Sequence, residues 1–319
     1  MLRDKDAPGV LKKIFFPLIV IFFLSFQNLA ADTLPEKIVI CGVCRNIEAA
    51  VSNTIKNIEE LGNHFSDYQV VIYENNSTDR TAQLLNDWSN NNPHVLLITE
   101  KLPSKNLPAS RTSKIARARN IVLEAVKDLN YSDFKYLVMV DLDFKKPWPI
   151  EEILKTLEAP IEWDAVSANG VVKGGLYHDY YAFRDKGFPF GPELNGSKVW
   201  RKHAFLPKFK GKEWHSVFSA FGGLALYKTK TILQYIYSGS VTSDLKKYYQ
   251  NILLTLPPTN PYLQDYLEFQ RISQNTPLLD IPIRFRDKIC CEHLPLHASM
   301  ALNGYGKFYV NPALIMKYD

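Results

Sequence analysis

The chain has 319 residues, 46% hydrophobic and 22% charged, with a formal net charge of +5. That composition suits one large globular domain or two small ones and excludes a disordered or fibrous chain. Lysine and arginine are scattered rather than massed, so nucleic acid is not an expected partner, while anionic small molecules or a membrane surface are.

Arg3, Lys5, Lys12 and Lys13 precede an apolar run from Ile14 to Phe26, and Asn28 to Asp32 offers small residues suited to cleavage. This reads as a signal peptide or an uncleaved signal anchor over residues 1–31, with the remainder exported. A folded domain is expected over 37–319, in two halves, 37–165 and 166–319. Asn75, Asn76, Asn130 and Asn195 stand in glycosylation sequons.

Lys37 to Cys41 is a first strand, followed by a helix from Glu48 to Leu61 with Ala50, Ile55, Ile58 and Leu61 at helical spacing. Tyr68 to Tyr73 is a second strand. Glu74 to Asp79 forms a turn rich in capping residues, and a helix runs from Asp79 to Ser89. Val95 to Ile98 is a third strand. After a loop over 101–110, Thr112 to Leu129 is a helix with Ile115, Ala118, Val122, Ala125 and Leu129 on one face. Alternation of strand and helix indicates a parallel sheet wound with helices.

The fourth strand, from Tyr136, is apolar and β-branched and ends in Asp141-Leu-Asp143. Strand side chains alternate, so the two carboxylates share a side. The carboxyl end of a central strand is where open α/β sheets bind ligands. Two hard oxygen ligands there suit Mn²⁺ or Mg²⁺, completed by substrate phosphates. Arg111, Lys114 and Arg117 recur at helical spacing opposite the apolar stripe and are expected to face a diphosphate. Arg45 and Asn46, just past the first strand, lie at the same sheet edge.

The second half changes character. Residues 170–220 are rich in Gly, Pro and aromatics and read as substrate loops. Strand character returns over Ser219 to Tyr227, where Gly222 and Gly223 mark a close backbone approach. Thr242 to Leu254 is helical, Pro257, Pro258 and Pro261 break it, Leu294 to Asn303 is a helix, and Lys307 to Val310 a last strand. Tyr177, Tyr180, Tyr181, Trp200 and Trp214 could stack on sugars, and Asp179, Asp185, Glu193 and Glu213 could bind hydroxyls. His178, His203 and His215 carry no such signal. The four cysteines (Cys41, Cys44, Cys290, Cys291) are buried thiols with or without one disulfide between the two pairs, or else Cys290 and Cys291 join His293 and His297 on zinc.

Three blocks resemble glycosyltransferases of the GT-A fold: the second strand with its turn, Glu74-Asn-Asn-Ser-Thr-Asp79; Ala116-Arg-Ala-Arg119-Asn120 with Asp141-Leu-Asp143; and Glu292-His293 through helix, Gly304-Tyr and strand to Pro312. The second block is also similar to fungal Golgi mannosyltransferases of the mannan-polymerase type. The resemblance implies a Rossmann-like, mostly parallel twisted sheet flanked by helices, with a loop-rich acceptor half. It implies metal-dependent transfer of a hexose, mannose being one choice, from a GDP- or UDP-sugar to a glycan, with 37–165 as the nucleotide-sugar-binding half and 166–319 as the acceptor-binding half. An exported transferase needs nucleotide sugars, so the expected location is the lumen of the secretory pathway, anchored in a Golgi or ER membrane, or else secreted. Arg45, Asn46, Glu74, Asn75, Asp79, Arg111, Lys114, Arg117 and Asp141 would contact the donor, with Asp143 and Asp141 holding the cation. Where relatives carry an acidic pair, this chain has Glu292-His293. His293 would then be a third ligand or the base, and Glu292 with Asp141 the catalytic acids. Two other readings are a haloacid-dehalogenase-type phosphatase with Asp141 as nucleophile and a non-catalytic carbohydrate-binding protein.

Overall fold

The computed structural model describes residues 33–196, 209, 211 and 213–318. The segment expected to be a signal peptide or anchor, Trp200 and His203 lie outside them. Among the described residues no helix is long and apolar enough to cross a membrane.

The first half follows the expected alternation: β1 (Leu34–Cys44), α1 (Glu48–Gly62), β2 (Phe65–Asn75), α2 (Thr81–Asn91), β3 (Val95–Glu100), α3 (Arg111–Asp128) and β4 (Tyr136–Asp141). Then come α4 (Ile150–Glu158), β5 (Ala165–Val172), β6 (Leu176–Tyr177), β7 (His215–Val217), β8 (Leu224–Lys228) and β9 (Phe308–Lys317). They form one nine-stranded sheet in the order β3-β2-β1-β4-β8-β5-β9-β7, with β6 beside β5. Strands β3, β2, β1, β4, β5 and β9 run one way, and β8, β7 and β6 run against them. The expected mostly parallel sheet flanked by helices is therefore present.

Period-2 alternation sorts the core. Val39, Cys41, Val71, Tyr73, Leu137 and Met139 face α3 and the later helices. Ile38, Ile40, Val70, Ile72, Val138 and Val140 face α1, α2 and α4. Such strands, buried on both sides, read as continuous apolar runs. The chain leaves β1 toward β2 and β3, then returns to place β4 on the other side of β1. Loops on either side of that reversal diverge and leave a crevice at the carboxyl ends of β1 and β4.

Three elements differ from expectation for identifiable reasons. The strand expected from Ser219 begins only at Leu224, because Gly222 and Gly223 take positive φ (+65° and +85°). The prolines after the helix Ser243–Thr255 break it, but Pro261 also opens a new helix, Pro261–Gln270. Asn260 accepts from the N–H groups of Tyr262 and Leu263 (3.0 and 3.1 Å), and proline at the first helical position gives up an N–H that needs no partner there. Strand β9 runs past its expected end at Val310 because a register shift beside Asn169 accommodates Pro312.

Candidate functional site

The crevice is a cleft of about 620 Å³. Six of the expected residues line it: Arg45 after β1, Asn75 at the end of β2, Arg111 and Lys114 on the first turn of α3, and Asp141 and Asp143 at the end of β4. Four separate stretches of sequence thus put three cations and two carboxylates on one surface.

The other expected residues lie elsewhere. Glu74 is buried and accepts from the N–H of Ser77 (2.9 Å). The cause is strand phase: β2 sends Val71 and Tyr73 to the α3 side, so Asn75 follows them and Glu74 turns away. Asn46, in the left-handed region (φ 54°), donates its backbone N–H to Ser77 Oγ (2.9 Å) and accepts from the Thr78 N–H (2.8 Å), tying two loops together. Asp79 accepts from the N–H groups of Thr81 (3.0 Å) and Glu48 (3.2 Å). Arg117 is turned to Glu100 and Tyr73 Oη, each at 2.8 Å, rather than to the cleft. Each three-residue step along an α-helix drifts about 60° around the axis, so Lys114 stays near Arg111 and Arg117 does not.

The guanidinium that reaches the carboxylates belongs to Arg119. It is 3% exposed and bonds Asp141 Oδ1 (3.0 Å) and Glu292 Oε1 (2.7 Å), lies over the ring of Phe221 (4.4 Å), and contacts His293 Nε2. Arg119 stands in the Ala116–Asn120 block but is not among the residues expected to bind. The signal was its phase: four residues after Ile115 and three before Val122, it sits on the apolar stripe, where a charge must find a buried partner.

Glu292 and His293 are both buried. His293 stacks on Phe221 (4.1 Å) with Nε2 against Arg119, and burial together with that cation holds it well below the usual imidazole range. It therefore does not join Asp141 and Asp143 as a third ligand. Among the described residues no group of three or more His, Cys, Asp or Glu side chains is placed to hold a metal ion. Asp143 is exposed and Asp141 half-buried with Oδ2 uncommitted to Arg119. A pair of hard oxygen donors of this kind fits Mg²⁺ or Mn²⁺, which take their remaining ligands from water and phosphates.

The four cysteines are free and buried, and burial pushes the Cys41 and Cys44 thiols up. His297 bonds Ser219 Oγ (2.9 Å) and Tyr227 Oη (3.1 Å), so neither the disulfide nor the zinc site forms. Of the expected acceptor residues, Tyr177 is fully buried, Trp214 packs on Tyr309 (5.7 Å), and Glu193 is locked to Arg184 (3.0 Å).

Asp179 is placed differently. Its Oδ2 accepts from the N–H of Gly222 (3.1 Å), while the next residue's carbonyl, Gly223 O, accepts from the N–H of Asp141 (2.9 Å). One glycine turn thus sets both carboxylates. A Cβ on Gly222 would stand 2.0 Å from Ala168 O, and one on Gly223 2.4 Å from the Phe144 ring. Burial, with Asp141 and Glu292 nearby, pushes the Asp179 carboxyl up to about 7. Burial also raises Asp141 to about 6, against the pull of Arg119.

No family model matches the chain, and no curated protein does. Among solved structures, the mannosyltransferase PcManGT from Pyrobaculum calidifontis, in complex with GDP-Man and Mn²⁺, aligns at 16% identity over 86% of this chain and 72% of its own, with a TM-score of 0.40. TarS from S. aureus aligns at 15% over 63% of this chain, TM-score 0.36. Glucosyl-3-phosphoglycerate synthase from Mycobacterium tuberculosis, with Mn²⁺, UDP and phosphoglyceric acid, aligns at 13% over 62%, TM-score 0.35. The chain spans only 30% of TarS and 57% of the synthase. Likeness at this level carries no weight for activity, which has to be read from the cleft itself.

Proposed function

We propose that the protein transfers a glycosyl group, a hexose of which mannose is one choice, from a nucleoside-diphosphate sugar to a glycan. What supports this is the placing of Arg45, Arg111, Lys114, Asp141 and Asp143 on one cleft at the reversal point of a parallel sheet. The cations answer the donor's charge. Arg111 and Lys114, at the start of α3, are suited to diphosphate oxygens, and helix N-termini favour anions. Asn75 is suited to a ribose hydroxyl.

Asp143 and Asp141 Oδ2 would hold the divalent cation, which when bound supplies Lewis-acid neutralisation of the departing diphosphate. Arg119 fixes Asp141 through Oδ1 and so orients the other oxygen. Asp179, set beside Asp141 by the Gly222–Gly223 turn, is the carboxylate assigned here to take the acceptor's hydroxyl proton. Glu292, closed in by Arg119, is not. A phosphatase using Asp141 as nucleophile is disfavoured by the Arg119–Asp141 ion pair. The N-terminal apolar run would export the domain to a lumen supplied with nucleotide sugars.

A donor-hydrolysis screen over GDP- and UDP-sugars with Mn²⁺, repeated on Asp143→Ala, tests the proposal. Turnover of one donor, lost in the variant, is the expected result, and equal turnover in both would refute the cation's assigned ligand.

A further inference from the structure

A second cleft, of about 710 Å³, opens on the α1 side of the same sheet edge. Its wall includes Asp143, which lines the first cleft as well, together with Asp79, Glu48, His178 and Tyr318. Its chemistry is the reverse of its neighbour's. No arginine lines it, and Asp143, Asp79 and Glu48 (the last paired with Arg80 at 2.7 Å) stand against Lys145. A diphosphate would meet carboxylates there.

What the wall offers suits a neutral polyol. Asp79 and Asp143 are exposed acceptors for hydroxyl hydrogens, and the Asn46 side chain lies beside them. Tyr318 packs against His178 (ring centroids 4.8 Å) and Phe144 (4.9 Å), presenting flat apolar surface of the kind that covers the C–H face of a sugar. Sites for small molecules commonly pair such a surface with a few fixed polar groups.

We propose that this second cleft binds the acceptor, a neutral hydroxyl-rich glycan, and that donor and acceptor meet across Asp143. The proposal deepens, and rests on, the glycosyl-transfer function above. The residues expected to meet the acceptor were aromatics and carboxylates of 170–220, whereas this cleft takes His178, which carried no such signal, from that stretch. Tyr318 was not among them, because only β9 carries that residue back over the sheet.

Saturation-transfer NMR with methyl α-mannopyranoside and methyl α-glucopyranoside on the full chain, with GDP or UDP and Mn²⁺ present, tests it. The wild type should give a signal with at least one glycoside. Tyr318→Ala, and separately Val172→Trp, which fills the cleft from its β5 wall, should each cut that signal about fivefold or more. Calorimetry with GDP or UDP plus Mn²⁺ on both variants should show nucleotide affinity within about twofold of wild type, and thermal melting should show both folded. A signal that persists in both folded variants, no glycoside signal from the wild type, or joint loss of glycoside and nucleotide would each overturn the assignment. Glycoside binding in this cleft without any nucleotide binding would uphold it and refute the donor instead.

Discussion

The two clefts share Asp143 and lie at the ends of the same strands, yet one gathers Arg45, Arg111 and Lys114 while the other is walled by Asp79, Glu48 and an aromatic pair. The difference teaches how one sheet edge presents two surfaces of opposite character. Side chains past a strand end go to opposite faces, and the helix packed on each face decides the sign of charge it meets. Helix α3 brings its basic first turn to one side, and α1 brings Glu48 to the other.

Arg119→Leu strikes the basic side at its root. Removing one partner of a buried ion pair leaves uncompensated charge, here on Asp141 and Glu292. The expected loss is about 3–5 kcal/mol of stability, read by chemical denaturation. Asp143→Ala acts where the clefts meet. It should lower transfer about 100- to 1,000-fold while leaving the melting temperature nearly unchanged, because Asp143 is exposed; a drop under tenfold would remove it from the reaction. Lys114→Ala touches one cleft only. The donor KM should rise about tenfold and the acceptor KM stay put, as steady-state kinetics with each substrate varied would reveal.

The smallest effect expected is on pH. The folded-state carboxyls of Asp141 (about 6) and Asp179 (about 7) lie above their ordinary value of 3.8, so the folded chain keeps protons that the unfolded chain has released. Stability from these groups is full below about pH 4 and is lost as pH rises through 6 to 7. Melting temperature should therefore fall over that window, and Asp179→Asn should flatten part of the fall. With Asp179 as the proposed base, transfer should rise through about pH 7 in the wild type and lose that inflection in the variant.

How much of this was legible in the sequence differs between the halves. In the first, strong period-2 and helical patterns fixed each element up to β4 to within a few residues, with α4 unforeseen, and the ends of β1, β2 and β4 together with the first turn of α3 named six residues of the basic cleft. Errors there were of phase: Glu74 for Asn75 alone, Arg117 for Arg119. Such errors follow from reading a turn or a helix face without the neighbour that settles its rotation. In the second half, β5, β7 and β8 are set by pairing with strands far away in sequence. The buried Arg184–Glu193 pair, with Glu193 also bonded by Tyr249, joins segments that no local period connects. Asp179 looked like any loop carboxylate until Gly222 and Gly223 placed it beside Asp141.

Isothermal titration of GDP and UDP into the wild-type chain and Asp143→Ala, with and without Mn²⁺, bears most directly on the basic cleft. One nucleotide should bind the wild type only when Mn²⁺ is present and should fail to bind the variant. Equal affinity without the ion, or in the variant, would contradict the account.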